Sequence, residues 1–362
     1  MEYFVTGLMS GTSLDGTDLA YCRLSEHKGA WEYEIIKAET LPYQDSWKEK
    51  LSKAPELSGR DLIALHNNYG KYLGLTIKDF HARNSLITPD LVASHGHTVF
   101  HQPSQGYTFQ LGHGAFIAAN CQCTVVSDFR SMDVAMGGQG APLVPLGDEL
   151  LFSAYTYCLN LGGFANISIP GASGRLAFDI CPVNFVINQL VREHKKNTGR
   201  NLHDYDKDGL LARSGEPVSC LLKTFNELNY YKKQGPKSLG EEWVNENIKP
   251  LITKSPHKLE DLLHTYYLHV ARQISNSLGV KPKGDMLVTG GGAHNTFLIE
   301  CIKHAIASDV TIIIPDNETI DFKEALIFAF LGLRYVRKET NCKSSVTGAS
   351  ADSPGGSIHY FH

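Results

Sequence analysis

The chain has no apolar run approaching the roughly 18 residues that cross a bilayer, so no membrane span is expected. It has no CxxC pair. Its eight cysteines are scattered, only Cys121 and Cys123 lying close together, which reads as reduced thiols rather than a disulfide framework. Long Lys/Arg blocks are missing and the net charge is −4, which argues against nucleic acid or an anionic membrane as the main partner. No basic-then-apolar leader precedes the first β-type run, so a cytoplasmic location is expected. What is present is ordinary for a soluble globular protein: 362 residues, 42% hydrophobic and 20% charged, enough for about two domains with sizeable cores.

The most heavily furnished stretch lies near the start. Met9-Ser10-Gly11-Thr12-Ser13-Leu14-Asp15-Gly16-Thr17-Asp18 sits between β-type runs over residues 3–8 and 17–24, so it reads as a hairpin turn. It holds two glycines, four hydroxyl side chains and two carboxylates. Glycine allows close backbone approach, successive turn N–H groups form an anion-binding concavity, and aspartates can hold a hard divalent cation directly or through water. The plain alternative is a polar turn.

A third β-run (31–37) and two helical stretches follow; in the longer, over 60–84, Leu62, Leu65, Tyr69, Leu73, Ile77 and Phe80 mark one buried face. A short strand (91–94), a small-residue helix (114–120) and a strand (124–127) complete an α/β unit. Residues 128–145, with three glycines and two prolines, predict a shaped loop at a domain junction. Beyond it the theme returns: β-runs over 155–161, 165–170 and 175–179, with Gly162-Gly163-Phe164 in the first turn, then a helix over 184–196. The recurrence predicts two related domains facing each other. Residues 199–256 are polar, helical and assigned no chemistry. A strand (285–289) then feeds a helix through Gly290-Gly291-Gly292-Ala293-His294-Asn295, an arrangement that brings backbone N–H groups against a ligand, commonly a nucleotide. This loop lacks both the GxGxxG spacing of a dinucleotide site and the GxxxxGK[ST] of a P-loop; a tight strand–helix turn is its plain reading. The last helix (322–336) is set to return to the first domain.

Two glycine-bearing hairpins and a third glycine loop are the arrangement of the sugar kinase and actin superfamily. The resemblance is closer still: MSGTSLDG (9–16), Ser94-His95-Gly96-His97-Thr98-Val99, Asp128-Phe129-Arg130, GGQGAP (137–142), NLGGFANI (160–167), TGGGAHN (289–295) and Glu324-Ala325-Leu326-Ile327-Phe328-Ala329 resemble, in order, the anhydro-N-acetylmuramic acid kinases. The resemblance implies two ribonuclease-H-like domains with an active-site cleft between them, one formed by 1–127 with 322–362 and the other by 128–321. It also implies a dimer and a reaction that takes 1,6-anhydro-N-acetylmuramic acid, ATP and water to N-acetylmuramic acid 6-phosphate and ADP in peptidoglycan recycling. A non-catalytic nucleotide and amino-sugar sensor of the same fold is the alternative from another class.

By the same resemblance Asp179 is the catalytic base. The family commonly reads Asp-x-Gly-Pro-Gly-Asn there, whereas this chain has Asp179-Ile180-Cys181-Pro182-Val183-Asn184, keeping the base and losing both glycines. ATP is expected at Gly11, Thr12, Ser13, Leu14, Asp15, Gly16, Thr17 and Asp18 of the first hairpin and at Asn160, Gly162, Gly163 and Asn166 of the second. Gly290, Gly291, Gly292 and Asn295 of the third loop complete that site, and Asp15 is the first place expected for Mg²⁺, held directly or through water. Arg130 suits the lactyl carboxylate, and His97 is placed near the sugar. Asp133 and Gln139 either position the sugar or tie their loop down; Glu324 either faces the cleft or is a plain helix-start glutamate.

Overall fold

The computed structural model describes residues 1–11, 14–171, 174–233, 235, 237–253 and 255–361. Two compact units emerge, one from 1–152 with 322–362, the other from 153–321. Residues 128–152 therefore belong to the first unit, not the second as expected. The reason is local packing. Lys323 and Asp148 form a buried ion pair at 2.6 Å, and a methyl on Gly147 would lie 2.5 Å from Ile327, so the helix Val144–Leu150 sits tightly on the helix Asn317–Val336.

In the first unit β1 (Glu2–Ser10), β2 (Gly16–His27) and β3 (Ala30–Pro42) run antiparallel in sequence. β4 (Leu91–Gln102) pairs parallel to β1, and β5 (Tyr107–Leu111) pairs back onto β4. β6 (Val125–Ser127) lies parallel to β4 on its other side. In the second unit β7 (Tyr157–Leu161), β8 (Phe164–Gly171) and β9 (Gly174–Pro182) repeat the antiparallel triple. β10 (Gly284–Thr289) and β11 (Val310–Ile313) extend it in parallel from the β7 side. β12 (Ser357–His359), unexpected from the sequence, pairs antiparallel with β6. The sheet orders β3-β2-β1-β4-β6 and β9-β8-β7-β10-β11 are the same topology twice, the ribonuclease-H-like pattern.

The helix Gly59–Arg83 starts where Ser58 Oγ accepts from the Asp61 amide, and it buries Leu65, Tyr69, Leu73, Ile77 and Phe80. Methyls on its Gly70 and Gly74 would meet the carbonyls of His113 and Ile117 at 2.7 and 2.6 Å, so the missing side chains let the helix Gly114–Cys121 approach closely. Gly7 does the same for the central strand: a methyl there would lie 1.9 Å from the Ala325 carbonyl oxygen. The second core gathers Leu159, Leu161, Ile167 and Val288 from the sheet with Leu263, Tyr266, Val270 and Ile274 of the helix Leu259–Ser277.

Candidate active site

The first hairpin is anchored from below. Tyr43 Oη lies 2.7 Å from Ser10 Oγ, 2.8 Å from Thr17 Oγ1 and 2.5 Å from Tyr69 Oη, all four residues being buried. Tyr69 also donates to Ser10 Oγ at 3.0 Å. Thr17 is thereby engaged inside the fold rather than offered to phosphate, which corrects its expected role. Gly16 likewise has a packing reason, since a methyl on it would meet the Leu41 carbonyl at 2.5 Å. Asp18 accepts from Thr40 Oγ1 at 2.6 Å. Leu14 turns the chain with a φ of 60°, and Asp15 is exposed, its carbonyl accepting from the Tyr43 amide. Thr12 and Ser13 lie outside the described residues.

Beside this hairpin, Ser10 pairs in register with His97, whose Nδ1 lies 3.4 Å from Ser10 Oγ. Burial holds His97 at about 4, hence neutral. Arg130 donates through Nε to His95 Nε2 at 2.9 Å and through Nη1 to the Gly140 carbonyl at 2.6 Å. Desolvation pulls its guanidinium down to about 10, against the carboxylates of Glu324 and Asp133 and the Cys342 thiol. Glu324 is also raised, first by burial and then by Asp18, with Arg130 opposing. Glu324 is thus partly buried among charges, not a plain helix-start residue.

Asp133 ties its loop down. Its Oδ2 accepts from the Gly140 amide at 2.7 Å, and its Oδ1 accepts from Thr347 Oγ1 at 2.6 Å and the Cys342 thiol at 3.0 Å. Both oxygens are engaged within the fold, which matches the loop-tying member of its two expected roles. Gln139 is exposed, and its backbone N–H donates to the Thr347 carbonyl.

In the second unit one register row crosses four strands: Thr289 on β10 faces Asn160 on β7, Asn160 faces Asn166 on β8, and Asn166 faces Asp179 on β9. In-register neighbours share a sheet face. Asp179 therefore lies within a strand that continues to Pro182, rather than after a strand ending at 179. The segment assigned no chemistry from sequence holds it. The Leu239 amide donates to Asp179 Oδ2 at 2.9 Å, the Asp179 amide donates to the Lys237 carbonyl at 3.0 Å, and Tyr230 Oη donates to the Asp179 carbonyl at 2.7 Å. Burial raises the Asp179 carboxyl, and the Leu239 N–H opposes that rise. Residues 237 and 239 act through main-chain atoms, which leave no residue-type signature in the sequence.

The glycines divide into two kinds. Gly290 has a φ of 81°, and a methyl on it would come within 2.4 Å of Asn160 Oδ1; one on Gly292 would lie 2.7 Å from Leu161 Cβ. Those two are required by backbone shape and packing. At Gly162, Gly163 and Gly291, in contrast, the nearest atoms to an added methyl lie 3.4, 3.9 and 3.9 Å away, and φ is not positive. Nothing in the fold demands glycine at these three. The space beside their backbone is open. Asn184 links the loops, its Nδ2 donating to the Leu161 carbonyl at 3.1 Å. Asn295, expected at the nucleotide, caps the helix Thr296–Ala305 instead: Oδ1 accepts from the Leu298 amide at 3.0 Å, while Nδ2 donates to Tyr267 Oη at 2.8 Å and the Asp206 carbonyl at 3.3 Å. Among the described residues there is no group of three or more His, Cys, Asp or Glu side chains that could hold a metal.

A family model described as anhydro-N-acetylmuramic acid kinase matches residues 2–361. A protein of that name from Francisella tularensis subsp. novicida is 34% identical, covering 99% of this chain and 100% of the relative. One from Sulfurimonas denitrificans is 31% identical with the same coverage. Among solved structures, the component A of (R)-2-hydroxyglutaryl-CoA dehydratase from Acidaminococcus fermentans aligns over 93% of this chain and 100% of its own, at 12% identity and a TM-score of 0.45.

Proposed function

We propose how particular residues carry the chemistry of the anhydro-N-acetylmuramic acid kinase family, to which this chain belongs. The reaction is an ATP-dependent phosphorylation coupled to hydrolytic opening of a 1,6-anhydro ring. Water adds at the anomeric carbon, the bond from that carbon to the bridging oxygen breaks, and the freed 6-oxygen takes the γ-phosphoryl group as ADP leaves.

Asp179 takes the proton from the attacking water. The observation that carries this is its setting: one carboxylate oxygen is fixed by the Leu239 N–H, the backbone is pinned on both sides, and burial raises its proton affinity toward that of a useful base. Gly162, Gly163 and Gly291 offer backbone without side chains to the phosphates, and phosphoryl transfer asks mainly for such positioning. Arg130 keeps the rest of its fork for a carboxylate after using two donors internally, which suits the lactyl group. Mg²⁺, held at Asp15 through water or directly, would neutralise charge on the phosphate oxygens. No helix among the described residues is long and apolar enough to cross a membrane. Our reading of a cytoplasmic homodimer rests on the family resemblance, and sedimentation of the purified protein tests the dimer.

The deciding assay mixes purified protein, Mg-ATP and 1,6-anhydro-N-acetylmuramic acid. ADP and a reducing 6-phosphorylated sugar are expected, with turnover lost in Asp179→Asn. Sugar binding by wild type without any ADP, or full activity in that variant, would overturn the assignment.

A further inference from the structure

At the carboxyl end of β10 the fold leaves a buried hydroxyl without a partner. Thr289 is 1% exposed, and its Oγ1 makes no hydrogen bond. Buried polar groups in native folds are almost always paired, so an orphan beside two glycine loops calls for a partner. The first unit repeats the feature. On β4, the strand that corresponds to β10, Ser94 is 1% exposed with an unpartnered Oγ. Each hydroxyl shortly precedes a glycine in the left-handed region, Gly96 at a φ of 77° and Gly290 at 81°. Ligands of open α/β sheets gather at the carboxyl ends of such strands.

Thr289 stands in register with Asn160, and the carboxamide of Asn160 lies between the two glycine loops of the second unit. Its Oδ1 is the atom nearest a methyl on Gly290, and its Nδ2 is the atom nearest one on Gly162, 3.4 Å away. An amide can donate through nitrogen and accept through oxygen, while a threonine hydroxyl can do either. An anion beside Gly162 and Gly163 attracts the Nδ2 protons, which leaves Oδ1 to accept from a neighbouring hydroxyl. The Thr289 O–H is the neighbour on the adjacent strand.

We propose that Thr289 is a positioning residue of the nucleotide site, its hydroxyl donating to the Asn160 carboxamide when phosphate occupies the open space beside Gly162, Gly163 and Gly291. The hydroxyl then orients the amide donors toward the anion, and the two hydrogen bonds polarise each other. This rests on reading the second hairpin as phosphate-binding.

The test is Thr289→Val, which removes the hydroxyl at nearly constant shape, with Thr289→Ser restoring it. A hydroxyl paired only in the nucleotide-bound form contributes nothing to the free protein. The melting temperature of free Thr289→Val should therefore equal or exceed that of wild type. Calorimetric titration with Mg-ATP should show affinity down about tenfold, the worth of one hydrogen bond. KM for ATP should rise in parallel with kcat little changed, and Thr289→Ser should recover most of the loss. Unchanged ATP affinity in Thr289→Val overturns the proposal, as does a lowered melting temperature with affinity intact, the mark of a hydroxyl held by structural water. Gly163→Leu separates the premise from the inference, because its side chain starts in open space, the nearest atom to its Cβ being Phe185 Cβ at 3.9 Å. If Gly163→Leu weakens ATP binding and Thr289→Val does not, only the Thr289 role falls. If Gly163→Leu binds ATP normally, the phosphate reading of the hairpin falls with it.

Discussion

Arg130 donates from Nε to Nε2 of His95 at 2.9 Å, while His95 Nδ1 faces the Gly96 carbonyl at 2.8 Å. Nε2 can accept only if the ring is neutral and its proton is on Nδ1, so the pair fixes one tautomer. Burial first, and then the adjacent guanidinium, hold the imidazole well below its ordinary range. His95→Phe keeps the ring contact with Phe328 but removes the acceptor. Arg130 then retains only the Gly140 carbonyl. We expect KM for the anhydro-sugar to rise about ten- to a hundredfold, the range of a hydrogen bond to a charged group, with a smaller change in kcat. Steady-state kinetics at saturating ATP measures both.

Acid should weaken the fold before carboxylates protonate. His66, His81 and His97 each titrate at about 4, chiefly because burial penalises the imidazolium. In the unfolded chain they titrate near 6.5. Between those values the unfolded state binds more protons, so stability falls as pH drops from about 6.5 toward 4. Melting temperatures measured across that window should decline. His81→Gln, which can still pair with Thr6 Oγ1, should flatten the decline. A profile unchanged by that substitution would remove His81 from the account.

The close seat of β1 on the helix Asn317–Val336 depends on one missing methyl. In Gly7→Ala the new carbon would press on the Ala325 carbonyl and the Ala329 amide nitrogen, at 1.9 and 2.9 Å. Both are backbone atoms and neither can swing aside. Overpacking of this kind costs about 1–3 kcal/mol or more. Chemical denaturation should show the loss with an unchanged slope, and Gly29→Ala is a useful contrast because its surroundings are open while its φ of 84° is strained.

How much of this was legible beforehand follows from what side chains can advertise. The repeated strand triples were visible because alternation and glycine turns are local signals, and Asp179, Arg130 and the paired hairpins followed from motif resemblance. The partners of Asp179 were not visible, because Leu239 and Lys237 act through main-chain atoms that every residue carries. Asn295 misled for a related reason: an asparagine after a glycine loop suits a ligand and an N-cap equally, and only the Leu298 amide distinguishes them. Thr17 looked like a ligand contact, and the role of Asp133 stayed open, because their partners, Tyr43 for one and Thr347 and Cys342 for the other, lie far along the chain. The 128–152 boundary failed similarly, since the Lys323–Asp148 pair joins segments remote in sequence.

Asp179 should trade stability for turnover, and the sign follows from its raised proton affinity. A carboxyl whose folded-state pKa lies above its ordinary 3.8 favours folding in its protonated form, and that contribution disappears as pH rises through the folded value. At pH 7 the ionised group therefore strains the fold. Asp179→Asn keeps an oxygen for the Leu239 amide and removes the charge, so its melting temperature at pH 7 should equal or exceed that of wild type while turnover falls by a factor of about 10² to 10⁴. In wild type the base works only when ionised, so kcat/KM should drop on the acid side at a pH above the usual aspartate range. Leu239→Pro removes the one N–H that favours the charged form and should push that acid limb further up. A limb that stays in place in Leu239→Pro, with activity otherwise retained, would mean that a different group titrates in the rate.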